Sequence, residues 1–185
     1  MTQIYLRQAQ LPDRDTIMQI IDDAKAAMKK AGSPQWQDGH PNTTMITEDI
    51  TKKIGWVLVI EQQIAGYVAM QLTPDPTYQH ITNGQWAQPT QPYATFHRVV
   101  ISSHFRGHHL GQFLISNLLT LGLAKGFTNF RLDTHPVNAA MQGLAKSCGF
   151  EYRGDIEVDD KLDPHRLTFE LNITQPHHQD HVTND

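Results

Sequence analysis

Apolar residues recur with a helical period in four parts of the chain. The clearest part lies between Pro12 and Pro34, with apolar positions at Ile17, Ile20, Ile21, Ala24 and Met28. Similar spacing predicts helices over residues 47–54, 110–121 and 136–148. Thr47 is the predicted N-cap of the second helix, and Gly149 is the predicted C-terminal cap of the last one.

Short runs rich in β-branched and aromatic residues predict strands between these helices. They cover residues 4–8, 56–61, 64–72, 95–102, 127–133 and 166–173, with a further strand that starts at residue 151. Gln62 and Gln63 make a short turn between two of them, which predicts a β-hairpin.

The resulting order is β-α-α-β-β-β-α-β-α-β-β, which predicts an α/β sheet with helices on both faces. One domain over residues 1–174 accounts for all these elements. Residues 74–92 contain several prolines and exceed a simple hairpin loop, so we expect this insertion to cover one end of the sheet. Residues 175–185 are polar and histidine-rich, which is typical of a mobile tail.

Composition narrows the function classes. The 185 residues carry a formal net charge of −4, which argues against a nucleic-acid partner. No apolar run reaches the roughly 20 residues that span a bilayer, and the N-terminus lacks a signal pattern. Cys148 is the single cysteine, so the sequence predicts a protein of the reducing cytoplasm that does not contact a membrane.

A turn rich in glycine connects a predicted strand to a predicted helix. Its sequence is Arg106-Gly107-His108-His109-Leu110-Gly111. Backbone N–H groups of such a turn converge on an anion, and the helix dipole adds partial positive charge. Arg106 offers a charge-assisted contact to the same anion. The turn therefore predicts a phosphate site.

This turn and the residues after it resemble the GNAT superfamily of N-acetyltransferases. The family's acetyl-CoA motif is Arg/Gln-x-x-Gly-x-Gly/Ala, and this chain matches it at Arg106 and Gly111 but has His109 at the middle glycine. Asn138, followed at the family's spacing by Gly149-Phe150, matches the second half of the fold. The resemblance implies a mixed, mostly antiparallel sheet whose two middle strands splay apart.

The resemblance also implies a set of residues that bind acetyl-CoA. The strand residues Val99, Val100 and Ile101 pair through their backbone with the pantetheine arm, and one amide polarises the thioester carbonyl. The phosphates contact the turn formed by Arg106, Gly107, His108, His109, Leu110 and Gly111. Asn138 is either a helix-start residue or a contact of the cofactor arm, and both can hold.

The catalytic acid and base are less well defined by the resemblance. The family often places a tyrosine acid seven residues after the asparagine, but this chain has Ala145 there. His97 is the first candidate for the base, since imidazole titrates near neutral pH. Strand alternation places its side chain on the face of Val99 and Ile101. His135 is the second candidate, and Cys148 is expected to be a small buried residue.

The acceptor pocket is expected in the loops over residues 32–44 and 73–92. Trp36, Trp86 and Tyr93 lie in or beside these loops and are the candidate substrate-binding residues, although loop aromatics also serve as hydrophobic plugs. No metal is expected to take part.

Together these features predict an acetyl-CoA-dependent N-acetyltransferase. It transfers the acetyl group to a primary amine of a small molecule or peptide by direct attack in a ternary complex. A non-catalytic acyl-CoA-binding or sensor domain is the alternative, kept open by Ala145 and His109. A homodimer is compatible with the sequence.

Overall fold

The computed structural model of the protein describes residues 3–105 and 109–174. Within these residues the chain forms seven strands and four helices in the predicted order. They are β1 (Ile4–Gln8), α1 (Arg14–Lys30), α2 (Thr43–Thr51), β2 (Gly55–Ile60), β3 (Gln63–Gln71), β4 (Tyr93–Ile101), α3 (Leu110–Ala124), β5 (Asn129–Thr134), α4 (Ala139–Ser147), β6 (Glu151–Glu157) and β7 (His165–Asn172). The predicted tail over residues 175–185, together with Arg106, Gly107 and His108 of the predicted phosphate turn, lies outside the described residues.

The start of α2 differs from its sequence prediction. Asn42 caps the helix, because its Oδ1 accepts a hydrogen bond from the Met45 N–H at 3.0 Å. Thr47 lies inside the helix, where its hydroxyl donates to the carbonyl of Thr43 at 2.8 Å. The prediction of Thr47 as N-cap is therefore wrong, since Asn42 is an equally good cap one turn earlier.

The end of α4 is as predicted. Gly149 has a φ of +87°, which suits a residue without a β-carbon. The Phe150 N–H donates to the Ala145 carbonyl and the Gly149 N–H donates to the Lys146 carbonyl, both at 3.0 Å. These two bonds form a Schellman motif, so the predicted C-terminal glycine cap is confirmed.

In the described part of the chain, the seven strands form one sheet in the order β1-β2-β3-β4-β5-β7-β6. All neighbours are antiparallel except β4 and β5, which run parallel. The parallel pairing joins residues 93–95 to residues 129–131, whereas β4 continues to Ile101 and β5 to Thr134. The two middle strands therefore separate beyond Thr95 and Arg131, which confirms the mixed, mostly antiparallel sheet with splayed middle strands.

Two apolar clusters cover the two faces of the sheet. Helices α3 and α4 cover one face, and the cluster there includes Phe96, Leu114 and Phe130. Helices α1 and α2 cover part of the other face, around Ile21 and Tyr67. Within the described residues no helix is long and apolar enough to cross a membrane.

A β-bulge at Arg98 changes which side chains of β4 share a face. Arg98 has a φ of +57°, and the pairing with β3 shifts by one residue there. Phe96 consequently packs with α3, whereas Val100 packs in the cluster of α1 and α2. Val99 and Ile101 pack on the side of Phe96. The expectation that His97 shares their face is therefore wrong, because the bulge interrupts the alternation.

The insertion between β3 and β4 covers part of the face that α1 and α2 leave free. Tyr78, Trp86 and Ile156 form its small buried core. Thr82 and Asp155 exchange backbone hydrogen bonds of 2.8 Å, which adds the insertion to the edge strand β6. The expected cover over one end of the sheet is thus present.

Candidate active site

A cavity of about 290 Å³ opens where β4 and β5 separate. Its walls come from the loop between α1 and α2, the start of the insertion, and the connection between β6 and β7. The residues that carry the argument below are Trp36, Asp75, His97, Val99, Thr134 and Asn138. The two loops expected to form the acceptor pocket do border this cavity, and the β6–β7 connection adds a third wall.

His97 lies on the cavity wall beside a carboxylate. Its Nε2 is 3.1 Å from Asp75 Oδ2, and both side chains are largely buried. The approach is close, but Nε2 has no aligned hydrogen-bond partner among the described residues. The pair is therefore an electrostatic contact rather than a linear hydrogen bond. Although His97 and Val99 leave β4 on opposite faces, both border the same cavity because it passes between the splayed strands.

Asp75 is held in place by the first turn of the insertion. Its Oδ1 accepts hydrogen bonds from the Thr77 N–H at 2.9 Å and from the Thr77 hydroxyl at 2.7 Å. The Asp75 N–H donates to the Tyr93 hydroxyl at 3.1 Å. Burial opposes ionisation, but the contact with His97 and the bonds from Thr77 outweigh it and lower the pKa of Asp75 to about 2. Asp75 is thus a fixed anion beside the imidazole.

A second buried carboxylate holds the bulge of β4. Asp49 of α2 is 3.2 Å from Arg98 Nη1 and accepts a hydrogen bond of 2.8 Å from the Tyr67 hydroxyl. Burial raises the pKa of Asp49, although Arg98 and Tyr67 favour its ionised form. Burial, with Asp49 nearby, also raises the pKa of the Tyr67 hydroxyl far above its usual value. These contacts tie β3, β4 and α2 together behind His97.

His135 follows β5 and has both ring nitrogens engaged. Its Nδ1 accepts a hydrogen bond from the Val137 N–H at 3.2 Å, and its Nε2 is 3.0 Å from Asp163 Oδ2. An acceptor role for Nδ1 places the proton of the neutral ring on Nε2, which then donates to Asp163. The His135 side chain is 5% exposed. His135 therefore braces the turn after β5, and its geometry favours a structural role over that of a base.

Asn138 is the N-cap of α4 and also joins two walls of the cavity. Its Oδ1 accepts a hydrogen bond from the Met141 N–H at 3.1 Å. Its Nδ2 donates to Oε1 of the buried Gln35 at 3.0 Å. The helix-start interpretation of Asn138 is therefore correct, while the cofactor contact stays a prediction.

The predicted phosphate turn is described only at its helix end. His109, which replaces the family's middle glycine, has a φ of +53°. This left-handed conformation explains why glycine suits the position. A β-carbon on Gly111 would lie 3.0 Å from Leu144 Cδ1, so that glycine lets α3 approach α4. Leu110 is buried in the core between these helices and the sheet.

The residues near the missing tyrosine are apolar or weakly reactive. Ala145 is fully buried in the core, where its methyl group supplies no proton donor. Burial raises the pKa of the half-buried Cys148 thiol, which disfavours the thiolate form. Neither residue lines the cavity.

The three loop aromatics occupy two different environments. Trp36 lines the cavity with His97. Trp86 and Tyr93 instead enclose the guanidinium of Arg131, whose carbon lies 4.0 Å and 3.9 Å from the two ring centroids. Arg131 is itself paired with the buried Glu170 at 3.1 Å. Trp86 and Tyr93 thus pack under the insertion and line a separate pocket with Arg131, not the cavity that contains His97.

Sequence reasoning missed most of the charged residues in the cavity. They include Asp38, Asp75, Asp133, Asp159, Asp160 and Arg166. These residues come from four separate segments and show no motif spacing. The loops predicted to form the acceptor pocket contain only Asp38 and Asp75, so the sequence did not indicate the others.

Comparisons with known proteins agree with this architecture. A sequence model of the acetyltransferase (GNAT) family matches residues 18–150. The crystal structure of a GNAT-family acetyltransferase from Streptococcus agalactiae 2603 is similar, with 33% identity over 93% of this chain and 96% of that chain and a TM-score of 0.84. Among curated proteins, none matches this chain significantly.

Two structures that contain the cofactor share the fold at lower identity. PaiA N-acetyltransferase from Thermoplasma acidophilum, in complex with coenzyme A, has 12% identity and a TM-score of 0.70 over 92% of this chain and 99% of that chain. The yncA protein from Salmonella typhimurium, with its cofactor acetyl-CoA, has 16% identity and a TM-score of 0.65 over 96% and 98%. With the family match over most of its length, the chain belongs to the GNAT acetyltransferase family.

Proposed function

We propose that the protein is an acetyl-CoA-dependent N-acetyltransferase. It transfers the acetyl group to a primary amine of a small molecule or peptide by direct attack in a ternary complex. Family membership supports the acyl transfer, and the structures solved with coenzyme A or acetyl-CoA support the co-substrate. The charged cavity at the splay of the sheet supports a polar acceptor.

The residues around the splay fit acetyl-CoA. Beyond Thr95 the edge of β4 that faces β5 has no strand partner in the described part of the chain, so the backbone of Val99, Val100 and Ile101 is available to the pantetheine arm. We assign the phosphates to the turn from Arg106 to Gly111, and we assign Asn138 to the arm. When bound, acetyl-CoA supplies an activated thioester acetyl group.

The catalytic proposal rests on one observation: His97, the proposed base, lies beside the carboxylate of Asp75. An unperturbed alkylammonium titrates near pH 10, so an amine acceptor must lose a proton before it attacks. Asp75 faces Nε2 of His97, and no described residue hydrogen-bonds to Nδ1. We assign Nδ1 as the atom that accepts the proton of the amine, directly or through one water. The anion at Asp75 stabilises the imidazolium that forms.

Turnover against a panel of amines tests this proposal. We expect release of CoA with at least one primary amine, and we expect the His97→Gln variant to bind CoA normally but turn over slowly. Binding of acetyl-CoA without turnover of any amine would instead support the non-catalytic sensor domain.

Thermal unfolding tests the co-substrate separately. Ligand at about 100 times its dissociation constant stabilises the folded state by about 2.7 kcal/mol, so CoA should raise the melting temperature clearly. No shift with millimolar CoA would contradict the assignment of acetyl-CoA.

A further inference from the structure

The cavity has a strongly acidic lining. Five aspartates and two arginines border it, which gives a formal charge of −3 when His40 and His97 are neutral. The whole chain has a net charge of −4, so the net charge of this one lining is close to that of the entire molecule. Such a concentration of like charge in a partly buried cleft attracts cations and repels anions.

The arginines do not neutralise this charge. Arg98 is paired with Asp49, which lies outside the cavity lining. Arg166 is paired with Asp160 at 2.6 Å and donates two further hydrogen bonds to backbone carbonyls. Each guanidinium group therefore lies closest to another carboxylate. Asp133 has only the 4.0 Å contact with Arg166, and Asp159 has no ion pair with a described residue.

Asp133 and Asp159 are the carboxylates of the cavity that can accept further hydrogen bonds. Asp133 Oδ1 accepts a hydrogen bond from the Tyr78 hydroxyl at 2.7 Å, whereas Oδ2 is 4.0 Å from Arg166 Nε. That separation is too long for a hydrogen bond. Asp159 is exposed at the β6–β7 connection and makes no ion pair with a described residue. Each can accept hydrogen bonds from an ammonium group.

The cavity wall also contains a neutral polar group, the hydroxyl of Thr134, that lacks a hydrogen-bond partner among the described residues. Thr134 ends β5, is one of the residues that line the cavity, and is 1% exposed. Its hydroxyl is buried without a hydrogen-bond partner within the described residues. Buried polar groups normally have a partner, so the Thr134 hydroxyl is available to a hydrogen-bonding group of a ligand in the cavity.

We propose that the acceptor is an amine that carries a second positive charge, as in an aliphatic diamine. The reacting amino group lies at His97, and the second ammonium group lies at Asp133 and Asp159, with Thr134 as a neutral hydrogen-bond partner. This inference rests on the proposed function, because it names the class of acceptor for the same cavity.

Three amines with the same four-methylene spacer test the role of the far charge. Putrescine, pentylamine and δ-aminovalerate offer the same reacting amino group, but their far ends are positive, uncharged and negative. We expect kcat/KM for putrescine to exceed that for pentylamine about tenfold, which corresponds to about 1.4 kcal/mol. The value for δ-aminovalerate should be lower still. Equal values for putrescine and pentylamine, or a preference for δ-aminovalerate, would overturn the inference.

Isosteric variants locate the charge preference. In Asp133→Asn the amide oxygen still accepts the Tyr78 hydroxyl, so the insertion keeps this contact. We expect the ratio of kcat/KM for putrescine to that for pentylamine to fall about tenfold in Asp133→Asn. The fall should be about threefold in Asp159→Asn, whose exposed charge is screened by solvent. Asp23→Asn removes the same charge from the exposed face of α1, outside the cavity lining, and should leave the ratio unchanged.

Binding without acetyl-CoA separates this inference from the proposed function. Putrescine should raise the melting temperature more than pentylamine at equal concentration, and the difference should shrink in Asp133→Asn but not in Asp23→Asn. If no amine is turned over but this difference persists, the proposed function fails and the dication site stands. If the difference is absent, or equal in all three proteins, the inference is wrong whatever the turnover.

Discussion

Arg98 Nη1 lies 3.2 Å from Asp49 Oδ2, and this contact ties a residue with left-handed backbone to the helix that covers it. A side chain in that conformation costs about 1–2 kcal/mol relative to ordinary backbone. The ion pair with Asp49, which also accepts a hydrogen bond from Tyr67, holds the Arg98 side chain in place despite this cost. The contact thereby maintains the bulge that turns His97 away from the face of Val99.

Two substitutions of Arg98 separate the backbone strain from the ion pair. Both Arg98→Ala and Arg98→Gly leave Asp49 buried without its cation, which should lower the free energy of unfolding by about 3 kcal/mol. Glycine accepts the φ of +57°, so Arg98→Gly should be about 1 kcal/mol more stable than Arg98→Ala. Urea unfolding of both variants measures this difference. Equal stabilities would mean that the bulge relaxes once the side chain is shortened.

His109 gives a prediction for the phosphate turn. His109→Gly removes the strain of a φ of +53°, because glycine adopts this conformation freely. Glycine also increases the entropy of the unfolded chain, which offsets part of that gain in stability. We expect a net stabilisation of about 0.5 kcal/mol and unchanged affinity for CoA, because the backbone conformation persists. Thermal unfolding and calorimetric titration with CoA measure the two quantities. A loss of stability would show that the His109 side chain makes a contact worth more than the strain.

Gly111→Asp is a less direct probe of the same turn. It adds negative charge at a helix start, but its β-carbon would also press on Leu144, which is 3.0 Å away. Loss of CoA binding in that variant could result either from repulsion of the phosphates or from altered packing of α3 on α4, and the experiment would not separate the two. His109→Gly avoids this second effect because His109 is exposed and precedes the helix.

The strands and helices could be predicted from the sequence because each one depends mainly on residues close together in the chain. Period and turn residues identify the strands and helices, and the glycine at position 149 forms the cap that its chemistry suggests. The bulge at Arg98 was not predictable in this way. Arginine has no preference for a positive φ, and the contact that accompanies the bulge is with Asp49, 49 residues away in the chain.

The candidate site was predictable only for residues whose positions follow from a single strand or loop. The positions of His97 and Trp36 followed from a strand and a loop that the pattern locates, and both line the cavity. Asp75 and Asp133 belong to different segments, and their roles depend on how the insertion folds over β5. Trp86 does not line this cavity. It lines a separate pocket of the insertion, where its indole N–H donates to the Tyr78 carbonyl at 3.0 Å.

The lowered pKa of Asp75 predicts that the stability of the folded protein depends on pH. Its folded-state pKa of about 2 lies below the ordinary value of 3.8, so ionised Asp75 stabilises the folded protein above about pH 4. This contribution, about 2 kcal/mol by linkage, is lost as the pH falls from about 4 to about 2. Asp75→Asn should therefore be less stable than the wild type at pH 7, and the difference should shrink at low pH. A difference that is constant between pH 7 and pH 3 would contradict this linkage.

His97 carries the most demanding prediction. As the proposed base it must be neutral to accept the proton of the amine, so the rate should fall as the pH drops and the imidazole becomes protonated. His97→Gln should lower kcat by roughly 10² to 10⁴ and remove this acidic limb of the pH–rate profile. The affinity for CoA should barely change, because the proposed cofactor contacts are backbone amides and the turn that ends at Gly111.

Asp75→Asn completes the test, because it leaves the imidazole in place but removes the anion 3.1 Å from it. The imidazolium would lose its stabilising partner, so the acidic limb should move to lower pH and kcat should fall less than in His97→Gln. Steady-state kinetics from pH 5 to pH 9, with the amine saturating, measure both effects. If His97→Gln retains the wild-type rate and pH profile, His97 has a structural role only. The proton of the amine would then leave through water rather than through a side chain of this cavity.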